Sequence, residues 1–315
     1  MFHDEDAARA HLERLRWANG VYCPHCGATD KVRRMEGKSH RPGLHQCNAC
    51  REPFTVTVGT VMERSHIALT KWVMGFHLMA ASKKGMSAAQ LSRMLGITYK
   101  SAWFMAHRIR EAMTPINAAP IGGEGKIVEA DEMYHGTVEI PQPLSRGRVR
   151  RPTKSGRSGV ANKRTVIALV ERGGEVRAEA MTGKPVTAKN VGEVLRKYAD
   201  AASRLQTDES RIYPPIAGHF ASHETVHHGA GEYARGKGAD LVTTNSVEGF
   251  FGVFKRGFTG IYQHCGEQHL QRYLNEYTFR YNHRIRLGYN DDTRAALIVQ
   301  GASGKRLTYR GTCAA

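Results

Sequence analysis

Three features predict a multidomain α+β protein. Two Cys-x-x-Cys pairs stand near the start, helical periodicity fills 69–113, and two apolar stretches, 126–131 and 204–208, each close on an aspartate. At 315 residues the chain has room for two or three domains. The expected boundaries are an N-terminal helix and metal-binding ribbon over 1–62, a helical segment over 63–114, a linker over 115–125, an α/β domain over 126–290 and a C-terminal tail over 291–315.

The ribbon rests on Cys23-Pro-His-Cys26 and Cys47-Asn-Ala-Cys50, separated by twenty residues. Each such turn brings two thiolates to one ion, and two turns complete a closed tetrahedral site, so Cys23, Cys26, Cys47 and Cys50 are expected to hold a structural Zn2+. The twenty residues suffice for a short pair of strands, with Gly27 and Arg51 closing the tight turns. His25 and His45 are near enough to be rival ligands, but four sulfurs make them unnecessary. Cys265 and Cys313 stand alone, which fits metal binding in a reducing compartment better than a disulfide framework. Ahead of the ribbon, 4–17 reads as a helix with acids in its first turn that packs against it.

In the helical segment, Trp72, Phe76 and Met79 share a face before Lys83-Lys84-Gly85 ends the helix. Ser87-Ala-Ala-Gln90 is a capping box that starts a short helix, Gly96 makes a turn, and 98–113 is a longer helix bearing Lys100, His107, Arg108 and Arg110. That order is the layout of a helix-turn-helix, whose second helix enters the DNA major groove. A plain helical bundle accounts for the same apolar positions.

The α/β domain opens on Lys126-Ile-Val-Glu-Ala-Asp131, a strand expected to end on its acid, and Arg204-Leu-Gln-Thr-Asp208 repeats the device. Between them lie strand-like runs at 164–170 and 176–180 joined by Gly173-Gly174, then a helix over about 189–198. Strand with aspartate, hairpin, helix, strand with aspartate is the order of a ribonuclease-H-like core. A helix follows from Asn245-Ser-Val-Glu248, on which Glu248 and Lys255 lie seven apart and share a face. Hard divalent cations need several oxygen ligands, and phosphoryl transfer needs both attacking and leaving oxygens stabilised. Asp131, Asp208 and Glu248, three acidic side chains at strand ends and a helix, meet that need, with Lys255 placed to hold a phosphate.

Lysine and arginine exceed aspartate and glutamate by 46 to 29, a net charge of +17. That excess favours a polyanionic partner, since each phosphate neutralised releases counterions. Arg148, Arg150 and Arg151 belong to an acid-free basic stretch over 146–164 that reads as a mobile loop or a phosphate-binding arm. His223 and His228 fall in a histidine cluster with His219 and His227, open to DNA contacts, a place beside the metal site, or loop packing. In 273–284, Tyr273 and Tyr277 read as core, with Arg280 and Arg284 facing DNA or a carboxylate. No run approaches the roughly 18 apolar residues a membrane span needs, and nothing suggests export.

The ribbon, 54–60 with its Val-Gly-Thr turn, Asp131-Glu-Met-Tyr, and the stretches 96–113, 243–255 and 270–284 resemble the bacterial insertion-sequence transposases of the ISXO-like type, relatives of the eukaryotic Merlin elements. The resemblance implies a DDE-type DNA transposase that binds terminal inverted repeats. The chemistry it implies is attack on phosphodiester bonds by water and then by a freed DNA 3′-hydroxyl, with Mg2+ (or Mn2+). It implies double-stranded DNA as partner, a homo-oligomer in the synaptic complex, and a cytoplasmic, nucleoid-associated location. Asp131 and Asp208 match the first two acids of that family; members carry glutamate or asparagine third, and both Glu248 and Asn245 are present. A DNA-binding regulator, or a nuclease of the same fold without strand transfer, would share most of these features.

Overall fold

The computed structural model describes residues 3–136, 142–143, 149–150 and 163–308. They divide into two compact units, the first comprising 1–117, 260–262 and 275–315 and the second 118–259 and 263–274.

In the first unit, helix α1 (Glu5–Arg16) is capped by the Asp4 side chain and ends at Trp17, as the acid-first pattern predicts. The expected pair of strands between the knuckles is present as β1 (Val32–Arg34) and β2 (His45–Cys47), and a third, β3 (Pro53–Phe54), joins them past the second knuckle, antiparallel in that order. Gly27 (φ 79) and Arg51 (φ 63), one residue past each knuckle, take left-handed backbone, which closes the turns. Trp17 packs edge-on against His45 and Phe54, and the Arg16 guanidinium donates to Val56 O at 2.6 Å. So small a ribbon cannot bury a core alone. It shares one with α1 and with α2 (Leu69–Ala81), where Trp72, Phe76 and Met79 are buried.

Helix α3 (Ala88–Leu95) is capped by Ser87 and stopped by left-handed Gly96; α4 (Tyr99–Ala112) follows, capped by Thr98. The layout is the expected one, but two side chains are not where they were expected. Arg108 and Arg110, expected to face DNA, are 9 % and 2 % exposed. The second half of α4 is buried all round, so only its start, with exposed Tyr99 and Lys100, is open to a groove. Arg108 donates to Glu63 O and lies over the Phe104 ring. Arg110 pairs through Nε with Glu276 Oε2 at 2.6 Å.

Glu276 lies on α8 (Leu270–Asn282) and is fully buried. Its other oxygen takes Arg280 Nη2 at 2.6 Å and the Tyr262 hydroxyl at 2.7 Å, so the carboxylate reading of Arg280 holds. Breaking such a cluster leaves two guanidinium charges uncompensated in the interior. Glu276→Gln is expected to cost ~3–5 kcal/mol in urea unfolding, and a loss under about 1 kcal/mol would mean the charges are solvated. The expected tail is also corrected: 291–300 is α9 (Asp291–Gln300), capped by Asn290, with Ile298 and Val299 buried in the same core as α2 and Phe279.

The second unit is built on a five-stranded sheet ordered β10-β9-β4-β7-β8. Its strands are β4 (Ile127–His135), β7 (Arg164–Glu171), β8 (Val176–Ala180), β9 (Arg204–Thr207) and β10 (Ser222–Thr225); the two-residue β5 (Gln142–Pro143) and β6 (Val149–Arg150) pair separately. The first three are antiparallel neighbours through the Gly173-Gly174 hairpin. Helix α5 (Ala188–Tyr198) then carries the chain across, so that β9 pairs parallel to β4 on its free edge, with β10 parallel beyond. This is the ribonuclease-H-like order. Even-numbered Val128 and Ala130 pack with Ile167, Leu169, Leu205 and the α5 residues Val191, Val194 and Leu195. Alternation therefore turns Glu129 and Asp131 to the opposite face. There lies α7 (Asn245–Gly257), preceded by β12 (Val242–Thr243) and continuous despite its glycines.

The expected linker over 115–125 is only half free. Ile121 is buried and bridges Ala199, exchanging backbone hydrogen bonds with Tyr198 and Asp200.

Candidate active site

Asp131 does not end its strand. β7 is long enough to pair with β4 as far as His135, so Asp131 sits mid-strand opposite Ala168. On its other side, β4 and β9 pair in the register Ile127↔Arg204 and Glu129↔Gln206. The same offset carries Asp131 to a position across from Asp208, just past the end of β9. Two sequence stretches 77 residues apart thus set their aspartates side by side, because both strands run the same way.

Burial, then the neighbouring Asp208 and Glu132, push the Asp131 carboxyl up to about 7, against a hydrogen bond from the Glu132 N–H; Glu248 adds to the rise. Asp208 is raised by burial, opposed by the Ser210 N–H it accepts at 3.0 Å; Glu209 and Glu248 push it further up and His228 pulls it down. Glu132 is raised by burial, with the buried Tyr213 hydroxyl donating to it at 2.5 Å. Burial and the same acids push Tyr134 up to about 12. Several carboxylates are therefore held together with too little positive charge among them. That imbalance fits a hard divalent cation.

Glu248 stands one turn into α7, its Oε1 accepting the Thr244 hydroxyl at 2.7 Å and lying 3.4 Å from His228 Nε2. Asn245, the other candidate, is the exposed first residue of the helix. Lys255 is exposed at the far end of α7 and acts on His135, whose proton affinity is lowered by burial, Arg164 and Lys255. His223 lies on β10 with Nε2 2.9 Å from Thr207 Oγ1, a half-buried packing role beside Asp208. Lys100 lies in the first unit. Arg148 and Arg151 fall outside the described residues, as does the side chain of Arg150.

Sequence reasoning missed Glu129, Arg172 and Gln206. Glu129 and Gln206 are fully buried two residues before Asp131 and Asp208, and the guanidinium of Arg172 bridges them. The signal was present as a repeat: Glu-Ala-Asp131 and Gln-Thr-Asp208 both place a polar side chain at i−2 on the aspartate's own face.

The four cysteines are, among the described residues, the one group already gathered for an ion, all ligand atoms lying within 4.8 Å of one another. Cys23–Cys50 and Cys26–Cys47 are each 3.6 Å apart between sulfurs. Zn–S bonds of about 2.3 Å in a tetrahedron put sulfurs about 3.8 Å apart, so the geometry fits zinc. The carboxylates are not drawn in to that degree, and neither are the histidines of 219–228.

A ribonuclease-H-like sheet carrying paired aspartates, in a chain that opens with a thiolate ribbon, is the architecture of a DDE-type transposase. The ISXO2-like transposase domain matches residues 122–282, and the transposase zinc-ribbon domain matches residues 3–52. The chain belongs to the ISXO2-like transposase family. It is 28 % identical over 286 residues, 89 % of this chain and 91 % of the relative, to a Halobacterium salinarum protein described as an uncharacterized protein in transposable element ISH50. Among solved structures it is similar to the Mos1 strand transfer complex, with 11 % identity, TM-score 0.30, and 73 % and 78 % of the two chains covered. It is also similar to the Drosophila P element transposase strand transfer complex, with 8 % identity, TM-score 0.27, and 73 % and 63 % covered. Among the described residues no helix is long and apolar enough to cross a membrane.

Proposed function

We propose that this transposase cleaves DNA at the ends of its element and joins the freed ends to a target, with Asp131, Asp208 and Glu248 as the ligands of its catalytic cations. The observation that carries the reading is the register that sets Asp131 beside Asp208, with Glu248 close enough to raise the proton affinity of both. Mg2+ bound there would activate the attacking oxygen and offset charge on the leaving one. The residues of the chain do the rest. Asp131 is held opposite Ala168 by the pairing of β4 with β7, Thr244 and His228 orient the Glu248 carboxylate, and exposed Lys255, on the same helix, holds a DNA phosphate. Lys100 at the start of α4, with the basic stretch at 148–151, supplies further phosphate contacts, and double-stranded transposon ends are brought together by more than one copy of the chain.

Glu248 is preferred to Asn245 because a carboxylate binds a hard cation better than an amide, and because Asn245 is exposed at the helix start. Purified protein incubated with a duplex carrying the element's end and Mg2+ tests the choice. Glu248→Gln should lower the cleavage rate by ~10²-fold or more, while Asn245→Ala stays within about threefold of the native rate. The reverse ranking would reassign the third position to Asn245. Supplying a pre-cut end tests joining separately, and cleavage without joined products would reduce the protein to a nuclease.

A further inference from the structure

Helix α7 begins without a cap of its own: Thr244 at its N-cap position makes no capping bond to the first-turn amides. Those amides are satisfied from the sheet instead. Glu129 Oε2 accepts the N–H of Ser246 at 2.7 Å and of Val247 at 3.3 Å, and Glu129 Oε1 accepts the Ser246 hydroxyl at 3.0 Å. Arg172 completes the shell, donating to Glu129 at 2.9 Å, to Gln206 Oε1 at 2.7 Å, and to the carbonyls of Leu241 and Thr243 just ahead of the helix. Gln206 in turn takes the Thr243 N–H at 3.0 Å and donates to Glu224 on β10.

Burying a charged pair seldom stabilises a fold better than apolar side chains of the same size. What this network supplies is location. Its two sheet anchors, Glu129 and Gln206, sit two residues before Asp131 and Asp208 on the same face, and its third attachment is the first turn of the helix that carries Glu248. A helix N-terminus is favourable for a carboxylate, so the bond between strand and helix is strong as well as directional.

We propose that Glu129, braced by Arg172, is a positioning residue for the metal site: it fixes the start of α7 to the strand of Asp131 and thereby sets where Glu248 stands relative to both aspartates. This rests on Glu248 being a cation ligand. Residues that orient metal ligands through hydrogen bonds are worth roughly 10- to 100-fold in metal affinity.

Mn2+ binding to the full, zinc-loaded chain, read from the loss of the free-ion EPR signal, needs no turnover. Glu129→Gln should weaken Mn2+ binding about tenfold, and Glu248→Gln at least as much. The double variant should bind within about twofold of Glu248→Gln alone, because Glu129 acts through Glu248. Losses that multiply in the double variant, or native affinity in Glu129→Gln, overturn the proposal. Native affinity in Glu248→Gln alongside a deficient Asp131→Asn is a different result: it removes Glu248 as a ligand and the inference with it. Ser246→Ala deletes one bond to Glu129 while leaving the Glu129–Arg172 ion pair, and should weaken binding two- to threefold. If melting curves show Glu129→Gln unfolded, native affinity in Ser246→Ala overturns the proposal instead.

Discussion

Asp131→Asn is expected to abolish Mg2+-dependent cleavage of element-end DNA and to leave the protein folded, with melting unchanged or raised. Asparagine has nearly the shape of aspartate, and the strand on either side of residue 131 is held by backbone pairing to β7 and β9, which the substitution does not touch. What it removes is a negative charge kept among other acids at a cost. Asp131 is pushed up to about 7 from an ordinary 3.8, first by burial and then by Asp208 and Glu132. The sign follows from linkage. The folded state holds a proton that the unfolded chain releases, so without added divalent cation this group's contribution to stability is complete below about pH 4 and is lost as pH rises through about 7. The asparagine variant escapes that loss, and its melting advantage over native protein should widen between those limits and close when Mg2+ is added to the native protein. Cleavage should fall ~10³-fold or more, ~4 kcal/mol of transition-state stabilisation. Persistent cleavage would take Asp131 out of catalysis. A variant that melts earlier at pH 7 would mean that the charge stabilises the fold.

Cys47→Ser is expected to strip the ribbon of its metal and to open the first unit. Cys47 is fully buried and shares a core with Trp17, Phe54 and the helices α1 and α2. Structural zinc in small modules supplies apparent binding free energies of about 10–16 kcal/mol, far more than three strands of two or three residues provide. The loss cannot stay within the knuckles, because Trp17 lies against His45 and Phe54, both held by the ribbon strands. Metal analysis should find one zinc per native chain and none in the variant, and the emission of Trp17 should shift to the red. Zinc retained at full stoichiometry, with native melting, would show that three sulfurs suffice and that the ribbon folds by packing.

Much of the site is legible in the sequence because its ingredients are local. Cys-x-x-Cys spacing, the Ser87 cap, the Gly173-Gly174 hairpin and an aspartate on each of two apolar strands are each determined within a few residues. Arg108 and Arg110 depart from the expected DNA-facing placement for the opposite reason. A basic helix face looks alike whether it meets phosphate or a buried carboxylate, and Glu276, which decides the matter for Arg110, lies 166 residues away. The 291–300 segment looked like a tail because its helix buries little of its own surface by pattern, and its place in the core is decided by α2.

The sequence alone singled out Asp131 and Asp208 as candidates, a four-thiolate metal site near its start, and the order of the main strands and helices of the α/β domain. These depend on side-chain chemistry and short-range periodicity. Only the tertiary structure decided that Asp131 lies mid-strand beside Asp208, that Glu248 rather than Asn245 is held by Thr244 and His228, and that Glu129 caps a helix more than a hundred residues away. Those facts depend on strand register and on a buried charge finding its partners, and register is set by the whole sheet at once.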